Sequence, residues 1–536
     1  MPDAVVIGAG PNGLVAANLL VDAGWSVAVF EAQSAAGGAV RSAEVTAPGF
    51  TNDLFSAFYP LTASSPVMQR LRLEDWGLQW RHAPTVLAHP TPNGPAALLS
   101  RDLDTTCASL DRFAPGDGDA WRDLYGLFDR ATPAFLELLL DPFPPVRATA
   151  TLAARLRVSR GAELARLALL SVRRMATERF RGEGGRLLLT GNAMHADVSP
   201  ESAGSGLFGF VLAGLGQQVG YPVPRGGAQG ITDALVSRLT ANGGSLVCGA
   251  HVDRVIVRNG RAVGIDIAGE SVTATKAVLA DTDVIALYRH LVGAAHLPAR
   301  VMDRLTRFER GPGTVKIDWA LAEPVPWSDA AVRGAGTVHL ADSSQELTFT
   351  TAELASGLVP SKPFVLLGQM TTSDASRSPA GTEAAWAYAH VPQEVRGDAG
   401  PDAITGKWNE RETEAFVRRM EDRIESHAPG FRDRIVARHT MSPPELEAAD
   451  ENLVLGDLSG GTAQLHQQLV FRPLPGLGRA ETPVKGLYLA SASAHPGAGV
   501  HGACGANAAR AALFHDRLRR RGRRARRSDE AIMMES

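Results

Sequence analysis

The sequence predicts an α/β fold: a Rossmann-type dinucleotide-binding domain assembled from three separated stretches of chain, with an α+β domain inserted between them. Three observations predict it. The chain opens as strand, glycine turn, helix and strand over Asp3 to Ala32. A second strand-rich stretch follows Gly226-Gly227, and the chain closes as a short apolar strand, a glycine-rich turn and a helix. Units of this kind bury their apolar faces only against one another, so the three stretches are expected to share one sheet.

In the first stretch, Val5-Val6-Ile7 is a buried apolar run and Gly8 to Gly13 is the turn. Leu14 to Ala23 has helical apolar spacing, Gly24 caps it, and Ser26 to Phe30 is the next strand. In the second, Ile231 to Leu239 reads as a helix, followed by strands at 245–247, 251–257 and 262–267 and a short buried strand at 277–280. Asn259-Gly260 marks a hairpin. In the third, Gly486 to Ala490 is the strand and a helix runs from about Gly502 to Arg519. The expected domains are 1–70, 221–285 and 456–516 for the dinucleotide site and 71–220 with 286–455 for the inserted domain. A basic tail, 517–536, is expected to fray.

At 536 residues the chain exceeds one compact core, which agrees with two or three domains. Cys107, Cys248 and Cys504 form no CxxC pair, which excludes a visible redox dithiol, a zinc ribbon or a disulfide framework. No charged leader precedes the first strand, and no apolar run is long enough to span a bilayer. A cytoplasmic protein is expected. Arg517 to Arg527 holds eight arginines and no acid. With only five lysines in the whole chain, this bias argues against reading every arginine run as a binding site.

The chemistry begins at Gly8-Ala9-Gly10-Pro11-Asn12-Gly13. The first glycine permits the tight turn, Gly10 lets backbone approach a pyrophosphate, and Gly13 lets the helix pack on the strand. Glu31, at the end of the second strand, is where a carboxylate would accept hydrogen bonds from a ribose diol. Gly37-Gly38, Arg41-Ser42, Gly49-Phe50 and Asp53 continue the pattern as Glu-x5-Gly-Gly-x3-Ser-x6-Gly-Phe-x2-Asp. This extended pattern resembles the FAD superfamily that contains the amine oxidases and the bacterial phytoene desaturases. The resemblance implies that these residues wrap the FAD pyrophosphate, with Arg41 displaced by two positions from the usual basic residue.

The C-terminal run Gly486-Leu-Tyr-Leu-Ala-Ser491-Ala-Ser-Ala-His495-Pro-Gly-Ala-Gly499-Val500-His501-Gly502-Ala-Cys-Gly505 resembles the flavin signature of the phytoene desaturase family and its relative, pyridine nucleotide-disulphide oxidoreductase domain-containing protein 2. Ser491 stands where relatives carry glycine. A helix beginning near Val500 would stabilise negative charge on a reduced flavin. Tyr221 to Gly230, Gly460-Gly461 and Phe471-Arg472-Pro473 extend the likeness, and it implies that Val252 lies in a strand giving backbone contacts to the adenine. The architecture implied is that of the two-domain flavin amine oxidases and phytoene desaturases. The cofactor-binding residues it assigns are Gly8, Gly10, Pro11, Asn12, Gly13, Glu31, Gly37, Gly38, Arg41, Val252, Gly499 and Val500.

The resemblance implies hydride transfer between a hydrophobic, isoprenoid- or lipid-like substrate and flavin N5, with oxygen or a quinone as acceptor. The inserted segments would form the substrate cavity. No second GxGxxG with a trailing acid is present, which with the absent CxxC argues against a disulfide reductase. His501 is the candidate catalytic residue. Against it stands the reading of His501 and His495 as loop histidines that satisfy backbone groups. His195 could line the substrate cavity but is read as packed, and Asp53 is read as a structural acceptor. Two alternatives stay open: an amine oxidase, opposed by the lack of an obvious aromatic pair, and a flavoprotein acting only through partners. Arg147 to Arg181 carries nine arginines, with Leu164, Ala168, Val172 and Met175 on one helical stripe. It reads as a core-facing helix with a solvated basic side, or as peripheral contact with a membrane.

Overall fold

A computed structural model describes residues 1–92, 94–145, 150 and 158–535. One sheet is five-stranded and wholly parallel, in the order Leu487–Leu489, Ala277–Ala280, Ala4–Ile7, Val27–Phe30, Ser245–Val247. All three stretches anticipated from the sequence contribute. Its central strands are buried on both faces, as parallel strands covered by helices require. One face carries the first helix (Pro11–Asp22), the helix Gln229–Ala241 and the last helix, packed through Leu14, Leu235, Ala506 and Ala509. A three-stranded antiparallel sheet (Arg254–Arg258, Arg261–Ile267, Glu270–Thr273) contains the hairpin at Asn259-Gly260, both with positive φ as a tight two-residue turn demands. The predicted strand at 251–257 begins later, so Val252 lies in the connection before it, buried.

The inserted domain is built on a seven-stranded mixed sheet, in the order Ile435–Met441, Gly313–Leu321, Glu383–Val391, Val365–Gln369, Ala335–Leu340, Thr85–His89, Ala97–Leu99. Its outer face is closed by the helix Glu410–His427. Asn409 caps that helix by accepting the Glu412 amide (3.0 Å), and Phe416, Met420 and Ile424 recur four apart on its buried stripe. Each such side chain contributes about 1.5–3 kcal/mol on burial. A helical layer made of Asp117–Leu140, Glu183–His195 and Ser205–Gln218 packs on the other side, around Phe128, Phe180 and Phe210.

Two expectations change. The arginine-rich end does not part from the last helix, which runs from Ala503 to Glu535; arginine is a good helix former and nothing in the segment breaks it. The stripe within 147–181 is not one helix, because Val158–Leu167 and Val172–Arg179 are separate and Ser171 caps the second. Val172 and Met175 are buried, whereas Leu164 lies among residues whose side chains are outside the description. Arg166 and Arg174 both pair with Glu178, Arg173 with Glu201, and Arg179 with Asp123 and Glu163. Among the described residues no helix is long and apolar enough to cross a membrane.

The first stretch of chain is tied to the inserted domain by a buried ion pair. Arg377, in a turn of the inserted domain, donates twice to Asp53 (3.1 and 2.6 Å), and neither side chain is exposed. Asp53 also accepts from Ser42 Oγ (2.7 Å) and the Ala228 amide (2.8 Å), so it is the structural acceptor anticipated. Removing one partner strands the other charge in the interior. Arg377→Ala is therefore expected to destabilise the fold by about 3–5 kcal/mol, read by chemical denaturation, whereas an exposed control such as Arg72→Ala should change stability by about 0.5 kcal/mol or less.

Candidate flavin and substrate site

The glycine turn and the last helix meet. A Cβ on Gly505 would lie 1.9 Å from the carbonyl oxygen of Asn12, and one on Gly13 would lie 2.2 Å from that of Gly8. Both positions therefore need glycine for close approach. Around the turn, Glu31 accepts the amides of Ala9 (2.7 Å) and Gln33 (2.9 Å), which sets its carboxylate beside the end of the first strand. Gly37 donates to the Ala9 carbonyl (2.9 Å), and a Cβ on Gly38 would approach Gly10 Cα at 3.2 Å. Gly8, Gly10, Pro11, Asn12, Gly13, Glu31, Gly37 and Gly38 are thus one cluster. Arg41 belongs to it differently: it donates to the carbonyls of Gly38 (2.9 Å) and Ala449 (2.8 Å) and lies over the Phe55 ring, so it braces the turn.

The fit to a dinucleotide rests on atoms left without protein partners. Asn12 Oδ1 is buried and unpartnered, and among the described residues the amides of Gly10 and Asn12 have no acceptor. Unpaired amides at a helix N-terminus suit a diphosphate. Sequence reasoning did not anticipate Asp281, whose Oδ2 accepts the Gly13 amide (2.7 Å) at the same helix end. Burial raises its pKa to about 7, against the pull of that hydrogen bond and with help from the charges of Asp450 and Glu31. A carboxyl that keeps its proton near neutrality can stand beside an anionic phosphate without repelling it.

Beyond the turn lies a cavity of about 410 Å³. Gly499, Val500 and His501 form one wall. Leu139, Leu140, Phe208, Val211 and Leu212 come from the helical layer, and Trp386 and Tyr388 from the sheet. The loop is anchored to the first stretch of chain, because Thr62 Oγ1 donates to the Val500 carbonyl and Ser65 Oγ to that of His501 (2.7 Å). Arg472 is wholly buried and spends its donors on carbonyls, among them Ala492 (2.8 Å), Ser459 (2.7 Å) and Thr462 (3.0 Å). It joins the Gly460-Gly461 segment to the flavin loop.

His501 lines the cavity, yet its Nδ1 accepts the Ala503 amide (3.0 Å) at the start of the last helix. Burial lowers its pKa to about 4. The ring is neutral, the proton sits on Nε2, and it presents a donor instead of a base. His495 is held through Nε2 by the Asp141 carbonyl (3.0 Å). His195 meets both readings open to it: it lines the cavity, and it is packed, with Nδ1 on His339 (3.1 Å) and its ring against Tyr221. An aromatic pair that the sequence did not reveal is also present. The Trp386 and Tyr388 rings are parallel (5°) with centroids 5.8 Å apart. A guest between two rings needs about 3.5–4 Å on each side, so this pair is a wall and not a sandwich.

Comparison with known proteins agrees with this geometry. Residues 6–72 match the NAD(P)-binding Rossmann-like domain family. Pyridine nucleotide-disulfide oxidoreductase domain-containing protein 2 of Mus musculus is 30% identical over 96% of this chain and 93% of its own length. The zeta-carotene-forming phytoene desaturase of Myxococcus xanthus is 25% identical over 92% and 90%. The solved structure of cyclohexylamine oxidase from Brevibacterium oxydans, 16% identical, superposes over 96% of this chain and 99% of its own with a TM-score of 0.56.

One consequence is measurable on the flavin-free protein. Asp281 has a folded pKa raised above its unfolded value, so between about pH 4 and 7 the native state holds a proton that the unfolded chain releases. Stability should fall as pH rises through that window. Asp281→Asn is expected to match the parent near pH 4 and to exceed it at pH 8 by an amount on the order of 2–4 kcal/mol, read by thermal unfolding. With the glycine cradle, the cavity and the full-length relative together, the chain belongs to the phytoene desaturase-like family of FAD-dependent oxidoreductases that includes pyridine nucleotide-disulfide oxidoreductase domain-containing protein 2.

Proposed function

We propose that this chain moves a hydride between a hydrophobic, isoprenoid- or lipid-like substrate and its FAD. The observation that carries the reading is the apolar cavity that runs from the helical layer to Gly499, Val500 and His501. FAD supplies the two-electron chemistry at its N5 when bound. Gly8, Gly10, Pro11, Asn12 and Gly13 would hold its diphosphate, Glu31 a ribose, and Gly37 and Gly38 the approach of backbone. Arg41 would brace that turn, Val252 would lie towards the adenine, and Gly499 and Val500 would face the ring.

The protein's own contribution is positioning and exclusion of water. Leucine, valine and phenylalanine walls align an apolar chain and keep solvent from the reacting carbon. His501 donates at Nε2 and takes no proton in this reading. The phytoene desaturase relative favours an isoprenoid substrate, and oxygen or a quinone would accept the electrons.

The test is anaerobic mixing of the purified holoprotein with a panel of apolar substrates in vesicles, phytoene and long-chain isoprenoid alcohols among them. Bleaching of the oxidised-flavin absorbance is expected, with return of colour on adding oxygen or a soluble quinone and none with NAD⁺. Bleaching by putrescine or cyclohexylamine, with none by phytoene or other apolar alkenes, would establish the amine-oxidase alternative instead. In the same protein, Glu31→Ala should lower flavin retention roughly 10- to 100-fold, equivalent to the loss of one or two charge-assisted hydrogen bonds. Equilibrium dialysis against FAD measures it.

A further inference from the structure

The cavity is mainly apolar, and apart from the His501 edge at the glycine-loop wall its polar groups without partners gather at one corner. Tyr388, on the strand Glu383–Val391, and His195, at the end of the helix Glu183–His195, both line it, as does Asp197 just beyond that helix. Most other polar groups on the walls are spoken for. Tyr221 Oη donates to Asn192 (2.5 Å), Tyr59 Oη to the Ser56 carbonyl (2.8 Å), and Gln468 Nε2 to the Thr462 carbonyl (2.8 Å). In contrast, among the described residues Tyr388 Oη has no hydrogen-bond partner, and His195 is engaged only through Nδ1, to His339 (3.1 Å). A phenol and an imidazole nitrogen on the cavity wall, both within reach of the Asp197 charge, are thus left without partners.

The charge at this corner is already cancelled. Asp197 Oδ1 accepts His390 Nε2 (2.8 Å), and Oδ2 accepts Ser459 Oγ (2.5 Å). Burial opposes ionisation of Asp197, but the His390 charge and the hydrogen bonds from His390 and Ser459 outweigh it. The same pairing raises the His390 pKa against its burial. His390 stands on the far side, where it and Asp197 border a second pocket of about 340 Å³. Tyr388 is held in its protonated form by burial and then by the Asp197 charge, and burial keeps His195 neutral at a pKa of about 4. Asp197 adopts a left-handed backbone (φ 58°), a strained conformation of the kind that recurs where a side chain must be aimed.

We infer that Tyr388 Oη and His195 Nε2 anchor the single uncharged hydrogen-bonding group, a hydroxyl or a carbonyl, of an otherwise apolar substrate. An ammonium finds its natural partner, Asp197, already neutralised by His390. A carboxylate would find the cation of this corner, His390, already paired with Asp197. A neutral oxygen can accept from Tyr388 and exchange a hydrogen bond with His195 at no electrostatic cost. The inference rests on the apolar-cavity reading above and deepens it.

The experiment measures binding to the holoprotein by quenching of tryptophan fluorescence (Trp386 stacks on Tyr388) and by perturbation of the flavin spectrum. The probes are dodecan-1-ol, dodecan-2-one, dodecylammonium, dodecanoate and n-dodecane, each below its aggregation limit. Dodecanol and dodecanone should bind roughly three- to ten-fold more tightly than dodecane, the worth of one or two buried neutral hydrogen bonds. Tyr388→Phe should erase that advantage and leave dodecane affinity, flavin content and melting temperature unchanged. His195→Gln, which keeps a donor and an acceptor, should retain part of it. Equal affinity for alcohol and alkane, or preference for the ammonium or the carboxylate, overturns the anchor alone. Failure of dodecane to bind overturns the apolar-cavity reading.

Discussion

The whole arrangement depends on the close approach between the two ends of the chain. Gly505 of the last helix rests on the Asn12 carbonyl, and Gly13 rests on Gly8, at distances that no side chain larger than hydrogen permits. That contact brings the flavin loop at 495–501 to the mouth of the first glycine turn. It also aligns two helix N-termini towards one region, where their partial positive charges act together. Everything farther out, including the cavity, is positioned by reference to it.

Around that contact the fold uses buried polar groups as fasteners and leaves the apolar core to supply the driving force. Asp53 gathers Arg377, Ser42 and Ala228 from three segments, and Arg472 gathers carbonyls from the Gly460 and Ala492 loops. Such groups are costly to bury unless each hydrogen bond is made. Their value is that they admit one registry only: a segment displaced by a residue would leave a charge unmatched. A flavin site assembled from remote pieces needs that discrimination more than it needs extra stability.

The division of labour between the domains follows from their chemistry. The parallel sheet offers backbone amides, glycines and a few carboxylates, which suit a charged and invariant ligand. The inserted sheet and helices offer leucine, phenylalanine and one polar corner, which suit a ligand recognised mainly by shape. The titratable groups between them are held away from their usual states by burial: Asp281 towards its neutral acid, His195 and His501 towards neutral imidazole. The site therefore carries little free charge where an apolar molecule would lie.

Much of the cofactor half was legible in the amino-acid order, because its signals are local. A strand, a glycine turn and a helix within thirty residues, with Glu31 at the next strand end, can be read from periodicity and the special backbone needs of glycine. The three-piece sheet and the role of Asp53 follow from the same kind of signal, whereas the order of its strands came only with the fold. The substrate half was not legible. His195, Asp197, Tyr388 and His390 stand on elements nearly two hundred residues apart, and nothing in their neighbouring residues marks them as partners. Asp281, too, looks like the end of an ordinary buried strand until the first helix is set against it. Local conformation is decided by adjacent residues, whereas burial, pairing and protonation are decided by whatever the folded chain brings alongside, and only the tertiary structure contains that.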